Sequence, residues 1–130
     1  VFDKFGLHAG VEELCLEFNS SKVLKVLYEN KVQFDELDKD KHLHVFRILQ
    51  ELMNNSLRHG KATKIHLFFD QIKDLNRCTY TDNGIGFDKN DKKNQNGLGM
   101  KNIESRVAFI NGSMTVDSAE DQGIKVVFNF

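Results

Sequence analysis

The sequence predicts an α+β two-layer sandwich: a mixed, mostly antiparallel sheet covered on one face by three helices. Three observations carry this reading. Segments with apolar residues at helical spacing are interspersed with short segments rich in Val, Ile, Leu, Phe and Tyr. Most of the strand-like segments come as neighbours joined by a few turn residues, which makes hairpins. Regular strand–helix–strand alternation is missing, as is any GxxxxGK[ST] loop, so the fold is not of the doubly wound kind.

Taken in order, residues 1–6 form a leading segment. Leu7, Val11, Leu14, Cys15 and Phe18 recur at helical spacing and predict an amphipathic helix over 8–19. His8, at its start, reads as a solvated surface histidine. Residues 22–28, rich in Val and Leu, predict a strand, and 31–34 a short second one. The charged stretch 35–41 reads as a connection, with Asp38 or Asp40 placed to cap the next helix.

The helix over 41–59 has an inner stripe of Val45, Ile48, Leu49, Leu52 and Ser56, widened by Phe46, Met53 and Leu57. Arg58 and His59 fall in its last turn, where positive charge is favoured, and Gly60 stops it. Beside the stripe runs a polar line of Glu51, Asn55, Arg58 and His59, at spacings of three and four. Strands come next at 64–70 and 75–81, joined by a turn at 71–74. Alternation puts Cys78 and Tyr80 on the same face as Asp82. Residues 88–96 carry no apolar anchor and read as a mobile loop. Its Lys89, Lys92 and Lys93 suit either a lid over phosphates or plain solvation. A glycine turn at Gly97-Leu98-Gly99-Met100 opens a helix to about Asn111, and strands at 114–118 and 124–130 complete the chain.

Length and composition bound the function classes. A chain of 130 residues suits a single domain with a real core, and 40% hydrophobic content is ordinary for one. A net charge of -1 gives no global field toward nucleic acid or a membrane surface. No apolar run reaches membrane-spanning length, and no signal peptide is visible. Cys15 and Cys78 have no metal spacing and read as buried, reduced structural residues, although a disulfide stays open. The start at Val1 and the end in a strand at Phe130 suggest a domain excised from a longer protein.

Chemistry concentrates in Asp82-Asn83-Gly84-Ile85-Gly86-Phe87, at the end of an alternating strand. The strand delivers a carboxylate, and Gly84 and Gly86 permit a backbone approach that a Cβ would forbid. Something flat or anionic fits there, and a nucleotide is the candidate. The glycine turn at 97–99, opening a helix, leaves free N–H groups and a positive dipole end, a phosphate site in principle.

Three ordered motifs make this specific: Glu51-x-x-x-Asn55-x-x-Arg58-His59, Asp82-x-Gly84-x-Gly86, and Gly97-Leu98-Gly99-Met100. Together they resemble the N, G1 and G2 boxes of the ATP-binding domain of sensor histidine kinases. That domain belongs to the superfamily shared with gyrase-type topoisomerases, mismatch-repair ATPases and a heat-shock chaperone. The wording around the boxes, such as Phe46 to Glu51 and Lys101 to Val107, is similar to the nitrate-sensor type, coupled to NarL-like response regulators. The resemblance runs from Leu7 to the C-terminus. It departs at Gly123-Ile124, where the family usually has Gly-Thr, so a hydroxyl that commonly supports the adenine pocket is absent. No segment matches the helix that carries the phosphoacceptor histidine.

The resemblance implies the Bergerat ATP-binding fold, with ATP and Mg²⁺ as ligands. It implies Asp82 as acceptor for the adenine amino group, with close approach at Gly84 and Gly86. It implies Asn55 as a Mg²⁺ ligand, Glu51 as the residue that polarises a water or the incoming nucleophile, and Arg58 and His59 as phosphate contacts. Gly97, Leu98 and Gly99 would offer N–H groups to the phosphates, with Met100 starting the helix behind them. The implied partners are the helical phosphoacceptor domain of a parent kinase and, indirectly, a response regulator. Nucleic acid and membrane contact are not expected, and the domain is expected in the cytoplasm even where the parent is membrane-anchored. Two alternatives stay open: a serine kinase of the anti-sigma-factor type, and a non-catalytic docking module that keeps the fold.

Overall fold

The computed structural model describes residues 2–20, 23–34, 37–86, 100–118 and 122–130. Its elements in chain order are α1 (Phe2–Asn19), β1 (Lys25–Asn30), α2 (Lys39–Arg58), β2 (Lys64–Ile72), β3 (Leu75–Asp82), α3 (Met100–Phe109), β4 (Met114–Ser118) and β5 (Ile124–Asn129). The strands form one sheet in the order β1-β2-β3-β5-β4. β1 and β2 are parallel, joined through α2, and the other three pairings are antiparallel. The result is the mixed, mostly antiparallel sheet with three helices that the sequence pattern implies.

Alternation sorts the sheet residues into two faces. Val26, Ile65, Leu67, Phe69, Cys78, Tyr80, Val126 and Phe128 are buried on the inner face. On the other face Lys25, Leu27, His66 and Lys125 are exposed. The helices close the inner face with the predicted stripes: Leu7, Val11, Leu14 and Cys15 from α1, Val45 to Met53 from α2, and Met100, Ile103 and Val107 from α3. Phe69 is the aromatic hub. Its ring meets Phe34, Tyr28 and Phe130 edge-on, at centroid distances of 5.0, 6.1 and 6.0 Å. Both cysteines are free and buried. Burial pushes the Cys15 thiol up to about 11 and the Cys78 thiol well above its ordinary value.

Several boundaries differ from the sequence expectation. Helical backbone begins at Phe2, inside the leading segment and ahead of the predicted start at His8, with a break at Gly6 (φ 85°). The first strand starts at Lys25, and 31–34 forms no strand. There the Asn30 side chain accepts from Val32 N–H (2.8 Å) and donates to the Val32 carbonyl (3.2 Å), turning the chain under the helices. Val32 and Phe34 are buried by that turn, which is why their alternation imitates a strand. His42, on α2, fastens the same turn by donating to the Phe34 carbonyl at 2.7 Å. The β2–β3 hairpin is tighter than predicted: Ile72 pairs with Leu75, and Lys73 and Asp74 both take positive φ (50° and 68°). That two-residue turn matches the twist of the flanking strands. His8 is exposed, as expected, beside Tyr28 Oη (2.9 Å) and Glu12 (3.1 Å). The loop at 88–96 lies outside the described residues.

Candidate functional site

β3 ends at Asp82, opposite Ile124 of β5 and Ile65 of β2, and on the same face as buried Cys78 and Tyr80. Its carboxylate is held from three directions. Oδ1 accepts the main-chain N–H of Gly84 at 3.0 Å and that of Ile124 at 3.1 Å. Oδ2 accepts Ser56 Oγ–H at 2.5 Å. The first contact is an Asx turn, which makes Asp-Asn-Gly suit the end of a strand. The second shows what Gly123-Ile124 supplies: with no side-chain hydroxyl at position 124, the main-chain N–H still reaches the carboxylate. Ser56 Oγ also lies 2.5 Å from Tyr80 Oη, which in turn reaches the Leu52 carbonyl at 3.1 Å. Tyr80 and Ser56 are buried, and burial pushes the Tyr80 phenol well above its ordinary value, so it stays a hydrogen-bond donor.

The turn after Asp82 is pressed onto the end of α2. Ile85 N–H donates to the Gly60 carbonyl at 2.7 Å. A Cβ on Gly84 would stand 2.3 Å from that same oxygen, so only glycine fits. Asn83 is a clamp. Its Oδ1 accepts Thr63 N–H and Lys64 N–H, both at 2.9 Å, and its Nδ2 donates to Thr63 Oγ1 at 2.9 Å. On the β5 side, a Cβ on Gly123 would meet the Asp82 carbonyl at 2.2 Å, and φ there is +73°. Asp82 is thus gripped by main chain on both flanks.

An open cleft lies above this carboxylate. Asn55, Ser56, His59 and Gly60 line it from α2, Asp82 and Gly86 from the β3 end, and Leu52, Met100 and Ile124 give it apolar walls. Gly86 takes φ 65°. Of the predicted site residues, the cleft therefore gathers Asn55, His59, Asp82, Gly86 and Met100. Gly84 stands behind it, holding Asp82. Glu51 is elsewhere: it lines an adjoining polar groove between α2 and α3, with Arg47, Gln50, Asn54, Asn102 and Arg106. Arg58 is exposed on the last turn of α2 and lines neither. Gly97, Leu98 and Gly99 lie outside the described residues. Among the described residues no group of three or more His, Cys, Asp or Glu could hold a metal ion. A divalent cation here would rest on the Asn55 amide oxygen, which suits an ion that keeps phosphate and water ligands.

Residues 40–130 match the family described as histidine kinase-, DNA gyrase B-, and HSP90-like ATPases. The chain belongs to this ATPase family. Its use of ATP follows from that membership. Sensor histidine kinase MctS of Rhizobium johnstonii is 31% identical over 122 residues, which is 92% of this chain and 26% of MctS. Sensor protein VraS of Staphylococcus epidermidis is 31% identical over 120 residues, 92% of this chain and 34% of VraS. The chain thus spans between a quarter and about a third of the relatives it matches. The fold agrees with the histidine kinase domain of the blue-light-activated kinase of Erythrobacter litoralis EL346 (TM-score 0.79, 18% identity, 95% of this chain and 60% of that one). It also agrees with histidine kinase AdeS of Acinetobacter baumannii (TM-score 0.70, 17% identity, 93% and 62%). The chain is an ATPase-family domain homologous to those of sensor histidine kinases. No described helix is long and apolar enough to cross a membrane.

Two residues at or beneath this cleft carry more than their sequence pattern suggests. Ser56 reads as a member of an apolar stripe, and Tyr80 as one more inward strand residue. The signal was their polarity: a hydroxyl at a core position needs a partner, and each supplies the other's.

Proposed function

We propose that this chain is the ATP-binding catalytic domain of a two-component sensor histidine kinase of the nitrate-sensor type, a single domain of a longer protein. In this reading it presents the γ-phosphoryl group of Mg-ATP to a histidine on a separate helical domain, which passes it to a response regulator. The observation that carries the reading is the anchored Asp82 carboxylate. Oδ1 is taken up by two main-chain donors, while Oδ2 has one donor and a lone pair left beside the cleft. An ionised carboxylate only accepts, so it suits the amino group of adenine and faces the carbonyl of guanine without a proton between them.

Asn55 offers its amide oxygen to Mg²⁺, whose charge, when bound, neutralises the phosphates. His59, at the cleft edge, and Arg58, one residue before it, meet the phosphates in this reading. In this reading the N–H groups of Gly97, Leu98 and Gly99 serve the phosphates, with Met100 starting the helix behind them. Glu51, one turn before Asn55, polarises the nucleophile from the α2–α3 groove. That groove is open and polar, which suits entry of an acceptor side chain from outside the chain. Phosphoryl transfer of this kind rests on positioning and charge, and needs no covalent nucleophile in this domain. Cytoplasmic placement follows from the need for ATP and a response regulator.

The test is transfer in trans. The chain is mixed with γ-labelled Mg-ATP and the helical phosphoacceptor domain of a sensor kinase. Acid-labile, base-stable label on that domain is expected. Stable label on serine would favour the anti-sigma-type kinase, and bound ATP without any transfer would contradict kinase function.

A further inference from the structure

Two exposed faces break local charge rules in opposite senses. The outward side of α1 carries Glu12, Glu13 and Glu17, all exposed, around Leu16, which is 69% exposed. Residues 6–20 contain no Lys or Arg. Glu13 and Glu17 stand four apart, where like charges on a helix repel. On the sheet, Lys25 of β1 and Lys64 of β2 are register partners, both exposed on the outer face. Like charges directly opposite each other also cost stability. Leu27, 57% exposed, follows Lys25 on the same face. Lys25, Leu27, Lys64, His66 and Thr81 are among the residues that line a hollow there.

The other charges of this sheet face have counterparts. Glu29 lies 3.3 Å from His66, Asp70 pairs with Arg77, and Lys125 stands opposite Asp117 in the β4–β5 register. Lys31 lies over the Phe68 ring. Among the described residues, no ion pair joins Glu13, Glu17, Lys25 or Lys64 to an opposite charge. Each face thus holds a repulsion that a face of opposite sign would relieve, and each sets an exposed leucine beside it. Both faces border the β1 edge. There Asn19, at the end of α1, accepts Val26 N–H at 2.7 Å and donates to the Val26 carbonyl at 3.4 Å. With that main chain taken, a partner at Val26 must bind through side chains rather than by adding a strand.

We propose that this partner is a second copy of the chain, with the acidic α1 face of each copy seated on the Lys25–Lys64 face of the other. Glu13 and Glu17 meet the lysines, and Leu16 meets Leu27. The same two patches serve on both copies, so one two-fold contact closes the pair. The faces are small, which makes the association weak, and their charges make it salt-sensitive. None of this rests on the nucleotide reading.

Sedimentation velocity of the 130-residue chain, from micromolar to millimolar concentration, reads the contact. A reversible monomer–dimer shift is expected, and it should weaken when added salt cuts the Debye length from about 10 Å to about 3 Å. Two charge reversals are then compared: Lys25→Glu with Lys64→Glu, and Glu13→Lys with Glu17→Lys. Either one sets like charges across the contact and should weaken self-association about tenfold or more. Each leaves its own face a like-charge pair on exposed positions, so folding, followed by circular dichroism, should change little. An equimolar mixture of the two variants should associate again, because acidic then meets basic at every contact. Mixing could not repair a merely structural defect. A wild type that stays monomeric to millimolar concentration overturns the proposal and leaves the two faces to other proteins. Self-association that neither reversal weakens, or a mixture no more associated than its components, overturns it as well.

Discussion

Gly84→Ala should loosen the whole cleft, and the structure gives the scale. The added Cβ would lie 2.3 Å from the Gly60 carbonyl oxygen and 2.9 Å from its carbon, about 1 Å short of ordinary contact. Neither partner yields easily. Gly60 is tied to α2 by its N–H on the Asn55 carbonyl (2.9 Å), and Ile85 N–H holds the Gly60 oxygen at 2.7 Å. Relief must break the Ile85 bond, worth about 1 kcal/mol net, and shift packed backbone, worth about 1–3 kcal/mol. Together that is about 2–4 kcal/mol, or a fall of roughly 10 °C in Tm for a chain of this size. The same shift pulls the Gly84 N–H off Asp82 Oδ1, so nucleotide affinity should fall along with stability. Urea and thermal unfolding followed by circular dichroism read the first effect, and nucleotide titration the second. An alanine variant within about 0.5 kcal/mol of wild type, the range of an ordinary surface change, would refute the close approach of Gly84 to Gly60.

Other expectations are independent of the nucleotide. Phe69→Ala removes the hub of the aromatic cluster and should cost about 3–5 kcal/mol in urea unfolding; a cost under about 1 kcal/mol would contradict the packing. Arg77 donates to both oxygens of Asp70, at 2.9 and 2.5 Å, and this hydrogen bonding holds the Asp70 carboxyl below its ordinary value. The unfolded chain titrates near about 4, so the pair stabilises the fold above that pH and the contribution is lost as pH falls through the lower folded value. Arg77→Gln should therefore be less stable than wild type at pH 7, with the gap closing in acid; a gap that does not change with pH would count against the pair. Cys15 and Cys78 are buried with raised thiol values, so a thiol reagent at pH 8 should label neither in the native protein and both in denaturant. Fast native labelling would contradict their burial.

Much of the fold was legible because its signals are local. The stripes of α1 and α2 and the alternation of β2 and β3 follow from helical and strand periods, and both hairpins from their turns. The segment 31–34 shows the limit. Val32 and Phe34 alternate like a strand, yet the Asn30 side chain turns the backbone before it can pair. Periodicity reports burial, and a tucked loop is buried too. At the site, order and spacing found the carboxylate and Asn55. Spacing on a helix tells which side a residue faces, but not what packs over it. That is why Glu51 and Asn55, one turn apart, line different hollows: α3 closes over one and the end of β3 over the other. The Tyr80–Ser56–Asp82 line escaped for a similar reason, since it joins residues from separate elements that only the packed sheet brings together.

The most direct measurement is calorimetric titration of the chain with ATP, with and without Mg²⁺, beside GTP and an Asp82→Asn variant. Binding of ATP that strengthens with Mg²⁺, no comparable binding of GTP, and a loss of about tenfold or more in the variant are expected, since the lost contact is to a charged acceptor. No heat with any nucleotide, or equal affinity for ATP and GTP undisturbed by the variant, would contradict an adenine site at Asp82.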